Sequence, residues 1–235
     1  MSGASCVLVV SNIDLKTNAP ITKPLTFLKS SVRDFILNVN NDYRYMKIGY
    51  YVSLHAEILG NKVVPTTENA LDAYRLPVML VRASKNGIPA MPYLVTDSVK
   101  QIMTEFDFPI VMFAVNPFSF NGFQIAKNRT ALYRAVKSLS MNYRYAVCAQ
   151  PLRGEMISVK SLFGECATEH GNVKEIAEKV YETFNLPVCK LHIQHFDGKA
   201  YLCGLQPLKV EEFSPSDVNM ISKIVSRFSE KGWFD

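Results

Sequence analysis

Asn40-Asn-Asp-Tyr-Arg-Tyr-Met-Lys-Ile-Gly-Tyr-Tyr-Val-Ser-Leu-His-Ala-Glu-Ile-Leu-Gly-Asn-Lys-Val-Val-Pro65 is the stretch whose reading decides the fold. Tyr50 to Leu59 reads as a helix, and Gly60-Asn61 supplies its C-terminal stop. Lys62-Val63-Val64 is a short strand that Pro65 ends. Upstream, Ser5-Cys-Val-Leu-Val-Val-Ser11 is a continuous apolar run, the pattern of a strand covered on both faces in a parallel sheet. A loop with Pro20 and Pro24 follows. Leu25 to Leu37 then places Leu25, Leu28, Val32, Phe35 and Ile36 on one helical face. Strand, helix, helix and strand in that order make a small α/β layer.

Downstream, Thr67 to Ser84 is helical in pattern apart from a break at Pro77, and Gly87-Ile88-Pro89 ends it. Tyr93 to Val95 reads as a strand, and Asp97 or Ser98 can cap a short helix from Val99 to Thr104. Pro109 to Val115 is a strand apolar on both faces, which requires cover on both. Phe123 to Ala126 is a strand, Thr130 to Leu139 a helix, and Tyr145 to Ala149 and Met156 to Phe163 are strands. Asn172 is placed to cap a helix over Val173 to Phe184, with Ile176, Ala177, Val180 and Phe184 on one side. Val188 to Phe196 and Lys199 to Leu208 flank Asp197-Gly198, a strong hairpin signal. Ser216 to Phe228 is a terminal helix.

Composition narrows the class. The 235 residues are 48% hydrophobic and 20% charged, which suits a globular chain and excludes disorder throughout. No apolar run reaches the roughly 18 residues of a membrane span, and Cys6 to Val10 is too short for a signal-peptide core. The net charge of +5 comes from basic residues spread over the whole length. No stripe that would neutralise a phosphate backbone stands out, so neither nucleic acid nor membrane is an expected partner. Five cysteines without a C-x-x-C pair point away from disulfide and zinc frameworks, towards small packed hydrophobes in a reducing cytoplasm.

Residue chemistry alone adds little. His192 and His195 lie in one predicted strand, where a spacing of three turns them to opposite faces, and no Cys or carboxylate stands beside them at ligand spacing. Asn116-Pro-Phe-Ser-Phe-Asn-Gly122 lacks the glycine and lysine pattern of a phosphate loop and reads as a plain connection. The triplets Tyr43-Arg-Tyr45 and Tyr143-Arg-Tyr145 could stack on bases, but the ordinary reading is half-buried rings with a snorkelling arginine. G-x-S-x-G is absent, and no Ser-His-Asp or Cys-His set can be assembled.

The opening stretch resembles the tyrosine-rich N-terminal domain of RimK-like ATP-grasp proteins, in the pattern YRY…GYYVSL.AE..G….P. The order of later motifs resembles the same family. Lys85-Asn-Gly-Ile-Pro89 is similar to the GIP turn before the central lobe, and Phe108-Pro-Ile-Val-Met-Phe113 to the family's FPVVVK strand. Gly122 to Ala126 is similar to the glycine loop and following strand, Tyr145 to Glu155 to the linker strand, and Val188 to Leu208 to the last hairpin. The resemblance implies an α/β, ATP-grasp-like fold: a small N-terminal lobe over residues 1–67, then a shortened, mixed α+β ATP-grasp-like region over 68–235.

Family members join a carboxylate to an amine or thiol through an acyl phosphate made from ATP, with lysines and magnesium neutralising the transferring group. At the family's strand lysine this chain has Phe113. At the metal aspartate, glutamate and asparagine it has His192, Gly204 and Gln206. At the hinge pair it has Ala149 and Gln150. Gly122 keeps the loop glycine and Glu155 keeps its type. Magnesium needs oxygen ligands in a near-octahedral set, which glycine and imidazole do not supply. The expectation is therefore a homologue with no catalytic residues and no metal or nucleotide cofactor, binding a small ligand or a partner protein, with homo-oligomerisation left open. The alternatives are an active carboxylate–amine ligase with displaced ATP and magnesium ligands, and a purely structural interaction protein.

Overall fold

The computed structural model describes residues 7–116 and 122–231, with only the backbone of 229–231. The chain runs β1 (Val7–Ser11), β2 (Ile21–Thr22), α1 (Pro24–Phe27), β3 (Phe35–Val39), α2 (Ile48–Ile58), β4 (Val63–Val64), α3 (Thr67–Tyr74) and α4 (Leu76–Lys85). It continues with β5 (Leu94–Thr96), α5 (Val99–Glu105), β6 (Ile110–Ala114), β7 (Phe123–Ala126), α6 (Arg129–Leu139), β8 (Val147–Pro151) and β9 (Glu155–Leu162). It ends with α7 (Gly171–Phe184), β10 (Val188–Phe196), β11 (Lys199–Gln206) and α8 (Pro215–Lys231).

Three sheets result. The first is parallel, in the order β2-β1-β3-β4. The second is antiparallel, in the order β5-β8-β6-β7, and the third antiparallel, in the order β11-β10-β9. The expected helix over Leu25 to Leu37 is corrected. Only Pro24–Phe27 is helical, and Phe35 to Val39 form β3, paired with β1 on one side and β4 on the other. All five β3 residues are buried, whereas Leu25 is exposed. A strand covered on both faces shows no alternation, so its apolar run was absorbed into a helical period.

β6 is covered as its sequence requires. Val111 and Phe113 belong to one core with α3, α4, α7 and the third sheet, and Ile110 and Met112 to another with α5 and α6. The break between α3 and α4 falls at Arg75, with Pro77 in the first turn of α4. Ser98, rather than Asp97, caps α5. Asn172 does not cap α7: the helix begins at Gly171, and the Asn172 side chain donates to the Gly198 carbonyl in the hairpin turn.

Candidate functional site: a filled seam between the second and third sheets

The third sheet presents His192 and Gln194 from β10, and Gly204 and Gln206 from β11, towards the second sheet. His192 and Gly204 are direct partners in the β10–β11 ladder. One residue later β11 carries an extra residue, Cys203, so the register shifts before Ile193 pairs with Leu202. From the second sheet come Phe113 on β6, its partner Phe123 on β7, and Gln150 on β8.

These side chains fill the space between the sheets. The Phe113 and Phe123 rings lie 5.8 Å apart, and Phe123 meets His192 edge-to-face at 5.0 Å. A Cβ added to Gly204 would stand 3.0 Å from Cε1 of Phe113, so the ring occupies the volume a side chain at 204 would need. A Cβ on Gly122 would likewise come within 2.8 Å of Gln206 Oε1. Gln150 is buried and donates from Nε2 to the Cys203 carbonyl at 2.9 Å. Gln194 donates to the Pro151 carbonyl at 3.0 Å and accepts from the Arg153 N–H at 2.9 Å. The seam is thus aromatic at its centre and amide-lined around it.

His192 is held from both ring nitrogens. Nε2 lies 3.0 Å from Gln206 Oε1 and Nδ1 lies 2.8 Å from the Ser158 hydroxyl. An amide oxygen only accepts, so Nε2 carries the proton and Nδ1 accepts from Ser158. Burial lowers the imidazole pKa from 6.5 to about 4, against the hydrogen bond to Gln206 and with help from the Lys190 charge. His192 is therefore neutral at pH 7.

Two acids past the end of the hairpin, Glu212 and Asp217, are committed elsewhere. Lys190 and Lys160 are cross-strand neighbours, which would repel if unpaired. Glu212 pairs with Lys190, while Asp217 binds Lys160 at 2.6 Å. Partial burial would raise the Glu212 carboxyl, but Lys190 and the Lys209 N–H hold it below the usual carboxylate range. Burial would raise Asp217 too, and its bonds to Lys160 and Ser214 outweigh this in the same way.

Of the residues singled out from sequence, Phe113, Gly122, His192, Gly204 and Gln206 come together, and Gln150 lies behind them against Cys203. Glu155 does not join them. It is exposed at the start of β9, opposite His195, about 10 Å along the strand from His192. His195 is half-buried and packs at 4.7 Å on His170 instead. Residues 117–121 of the loop before Gly122 lie outside the described residues. Among the described residues, no group of three His, Cys, Asp or Glu side chains converges as a metal site would require. Sequence reasoning missed Phe123, Ser158 and Gln194. The ladder partners of Phe113 and His192 could have pointed to Phe123 and Ser158 once the strands were paired.

The two tyrosine triplets part company. Tyr43 is wholly buried, its hydroxyl donating to the Asn38 carbonyl at 3.0 Å and accepting from the Asn40 N–H at 2.9 Å. Arg44 is engaged by the Asp42 carboxylate through both Nε and Nη2. Beside them an open groove of about 360 Å³ is lined by Arg44, Tyr45, Tyr74, Arg75, Pro77 and Val115. Tyr143, Arg144 and Tyr145, by contrast, are all exposed.

Burial pushes the Cys148, Cys189 and Cys203 thiols up to about 12, so these packed cysteines stay protonated. Among the described residues no helix is long and apolar enough to cross a membrane.

The three-sheet arrangement is the ATP-grasp fold. It is similar to a RimK-domain ATP-grasp protein from Sphaerobacter thermophilus, at a TM-score of 0.67 and 10% identity over 96% of this chain and 98% of that one. It is similar to the D-alanine–D-alanine ligase of Bacillus anthracis, at 0.64 and 13% over 97% of each chain. The ATP-grasp ligase PsnB, solved with a minimal precursor, Mg and ADP, matches at 0.63 and 11% over 97% of this chain and 99% of that one. At these identities the likeness is one of fold. The chain belongs to the family of the RimK-like ATPgrasp N-terminal domain, whose model matches residues 25–223, from α1 into α8, and so takes in β3 and β4 of the first sheet and all of the other two. No curated protein matches the sequence.

Proposed function

We propose that this protein is a non-catalytic member of its ligase-like fold and acts by binding. The observation that carries the reading is the Phe113 ring lodged against Gly204 at the centre of the seam. In the resemblance to active ligases, these positions belong to a phosphate-binding lysine and a magnesium-binding glutamate. Here an apolar ring takes the place of the cation, and the same ring leaves no room for a carboxylate. His192, at the aspartate position, is a neutral imidazole fixed between Ser158 and Gln206. Magnesium with a nucleotide triphosphate does not fit such a donor set: the ion requires hard oxygen ligands, usually including carboxylates. Glu212 and Asp217 lie close to the hairpin but are neutralised by Lys190 and Lys160.

A small ligand is better accommodated by the groove beside Tyr45, Tyr74 and Arg75 than by the filled seam. The buried, protonated thiols favour a reducing, cytoplasmic setting in the same reading.

The test is phosphate release from ATP and magnesium with panels of amino acids as acceptors, paired with thermal melts in the presence of each nucleotide. The expected result is no phosphate release above background and no magnesium-dependent rise in Tm with ATP. Robust release that His192→Ala abolishes would replace this reading with that of an active ligase using displaced ligands.

A further inference from the structure

From Phe108 to Gly154 the sequence contains no Asp or Glu, yet it contains Lys127, Arg129, Arg134, Lys137, Arg144 and Arg153. The first five are exposed along α6, just before it at Lys127, and in the turn that follows at Arg144. In α6, Leu132, Ala135, Val136 and Leu139 face the core. Tyr133, Arg134 and Lys137 fall on the opposite half of the helix, Arg129 flanks it in the first turn, and all four are exposed. Among the described residues, no ion pair or hydrogen bond holds the side chain of Lys127, Arg134, Lys137 or Arg144. Arg129 lies over the Tyr133 ring at 5.7 Å. Lys127 and Arg129 also sit at the helix start with no acid in the first turn, where cations oppose the helix dipole.

The turn after α6 adds aromatic rings. Met141, Asn142 and Tyr143 follow one another at φ 52°, 61° and 61°, in the left-handed region that side chains disfavour. Ser140 fixes this path: its hydroxyl accepts the Tyr143 N–H at 2.7 Å, and its carbonyl accepts the Arg144 and Tyr145 N–H groups at 3.0 Å. The result presents Tyr143 and Tyr145, 45% and 40% exposed, on either side of Arg144 and beside the cationic helix face.

We propose that this face of α6 and the 140–145 turn binds single-stranded nucleic acid, with the lysines and arginines on phosphates and Tyr143 and Tyr145 stacking on bases. Unpaired cations interleaved with exposed rings are what a strand with a charged backbone and flat, unpaired bases requires. An acidic polypeptide would use the cations but not the rings. An anionic membrane would call for Leu, Ile, Phe or Trp on the exposed face of α6, and none is there. The site is separate from the seam and does not depend on whether the seam turns over ATP.

The experiment is fluorescence anisotropy of the full chain with a labelled single-stranded RNA of about 15 nucleotides. Salt is varied from about 50 to 200 mM, a range over which phosphate contacts weaken measurably. Binding is expected, with affinity falling steeply as salt rises. Arg134→Ser with Lys137→Ser should weaken it and flatten the slope of log K against log salt by about 1.4, the release of two counterion contacts on a single strand. Tyr143→Ala with Tyr145→Ala should weaken it about tenfold or more with the slope unchanged, because stacking carries no counterion term. Circular dichroism melts confirm that each variant is folded. No binding at the lowest salt overturns the proposal. So does binding insensitive to the tyrosine pair, or equal competition by polyglutamate or by phosphatidylserine vesicles, each of which would mark a general polyanion surface.

Discussion

Gly204 and Phe113 share one volume, and that sharing can be measured. Gly204→Ala would bring a methyl to 3.0 Å from the ring and force it to shift, at an expected cost of about 1–2 kcal/mol. In a Phe113→Leu background the ring edge is gone and the same change should cost clearly less. Urea denaturation of the two single variants and the double variant gives the coupling energy, and equal costs in both backgrounds would show that the contact is not tight. His192 sets a pH dependence. Its folded pKa of about 4 lies below its unfolded value of 6.5, so between these values the unfolded chain binds the extra proton. Stability is therefore complete above pH 6.5 and falls by about 3 kcal/mol as pH drops to 4. The difference in stability between wild type and His192→Gln should follow that window, and a pH-independent difference would contradict it.

Among the elements, α3, α4 and α7 are joined by one side chain. Arg82 on α4 donates to Asp72 at 2.8 Å and to Asn69 at 3.1 Å, both on α3, and to the Thr183 carbonyl near the end of α7 at 3.0 Å. Its guanidinium also lies 5.0 Å from the Phe184 ring centre. The flat fork spreads five N–H donors over a rigid plane, whereas an ammonium group gathers its three at a single point. Arg82→Ala should cost about 2–3 kcal/mol in urea denaturation, and Arg82→Lys should recover only a minor part. Full recovery by lysine would mean that charge alone matters there. β3 shows the limit of local reading: Phe35 and Ile36 continue the helical period of Leu25, Leu28 and Val32, but pairing on both edges made them a strand.

At the scale of the whole molecule, α8 ties the end of the described chain to its beginning. Ile221, Ile224 and Val225 pack in one core with Val9 and Leu37 of the first sheet and with Leu162 and Val188 of the third. The Lys16 N–H donates to the Ser222 hydroxyl at 3.0 Å, and the Ser226 hydroxyl donates to Thr17 at 3.1 Å. A core shared in this way should make the first and third sheets unfold together. Calorimetry is expected to give one transition with matching calorimetric and van't Hoff enthalpies for these parts. Removal of residues 214–235 should expose the Val9 and Leu37 face and leave an aggregating chain. A soluble, cooperatively folding truncation would show that the first sheet stands without α8.

The sequence by itself determined most elements, because a helical or two-residue period and turn residues such as Asp197-Gly198 are local signals. The run from Asn40 to Pro65 and the order of later motifs were enough to indicate the ATP-grasp-like architecture. Phe113, His192, Gly204 and Gln206 could also be singled out position by position from the resemblance. Only the tertiary structure decided that these residues interlock, because contact between β6 and β11 joins residues some ninety positions apart. The basic residues show the same division. Along the chain they look evenly spread, although the acid-free run from Phe108 to Gly154 was there to be read. Helical phase and the left-handed turn after Ser140 then turn Arg134, Lys137 and Arg144 to water with Tyr133, Tyr143 and Tyr145, since charge in space depends on which side of each element meets water.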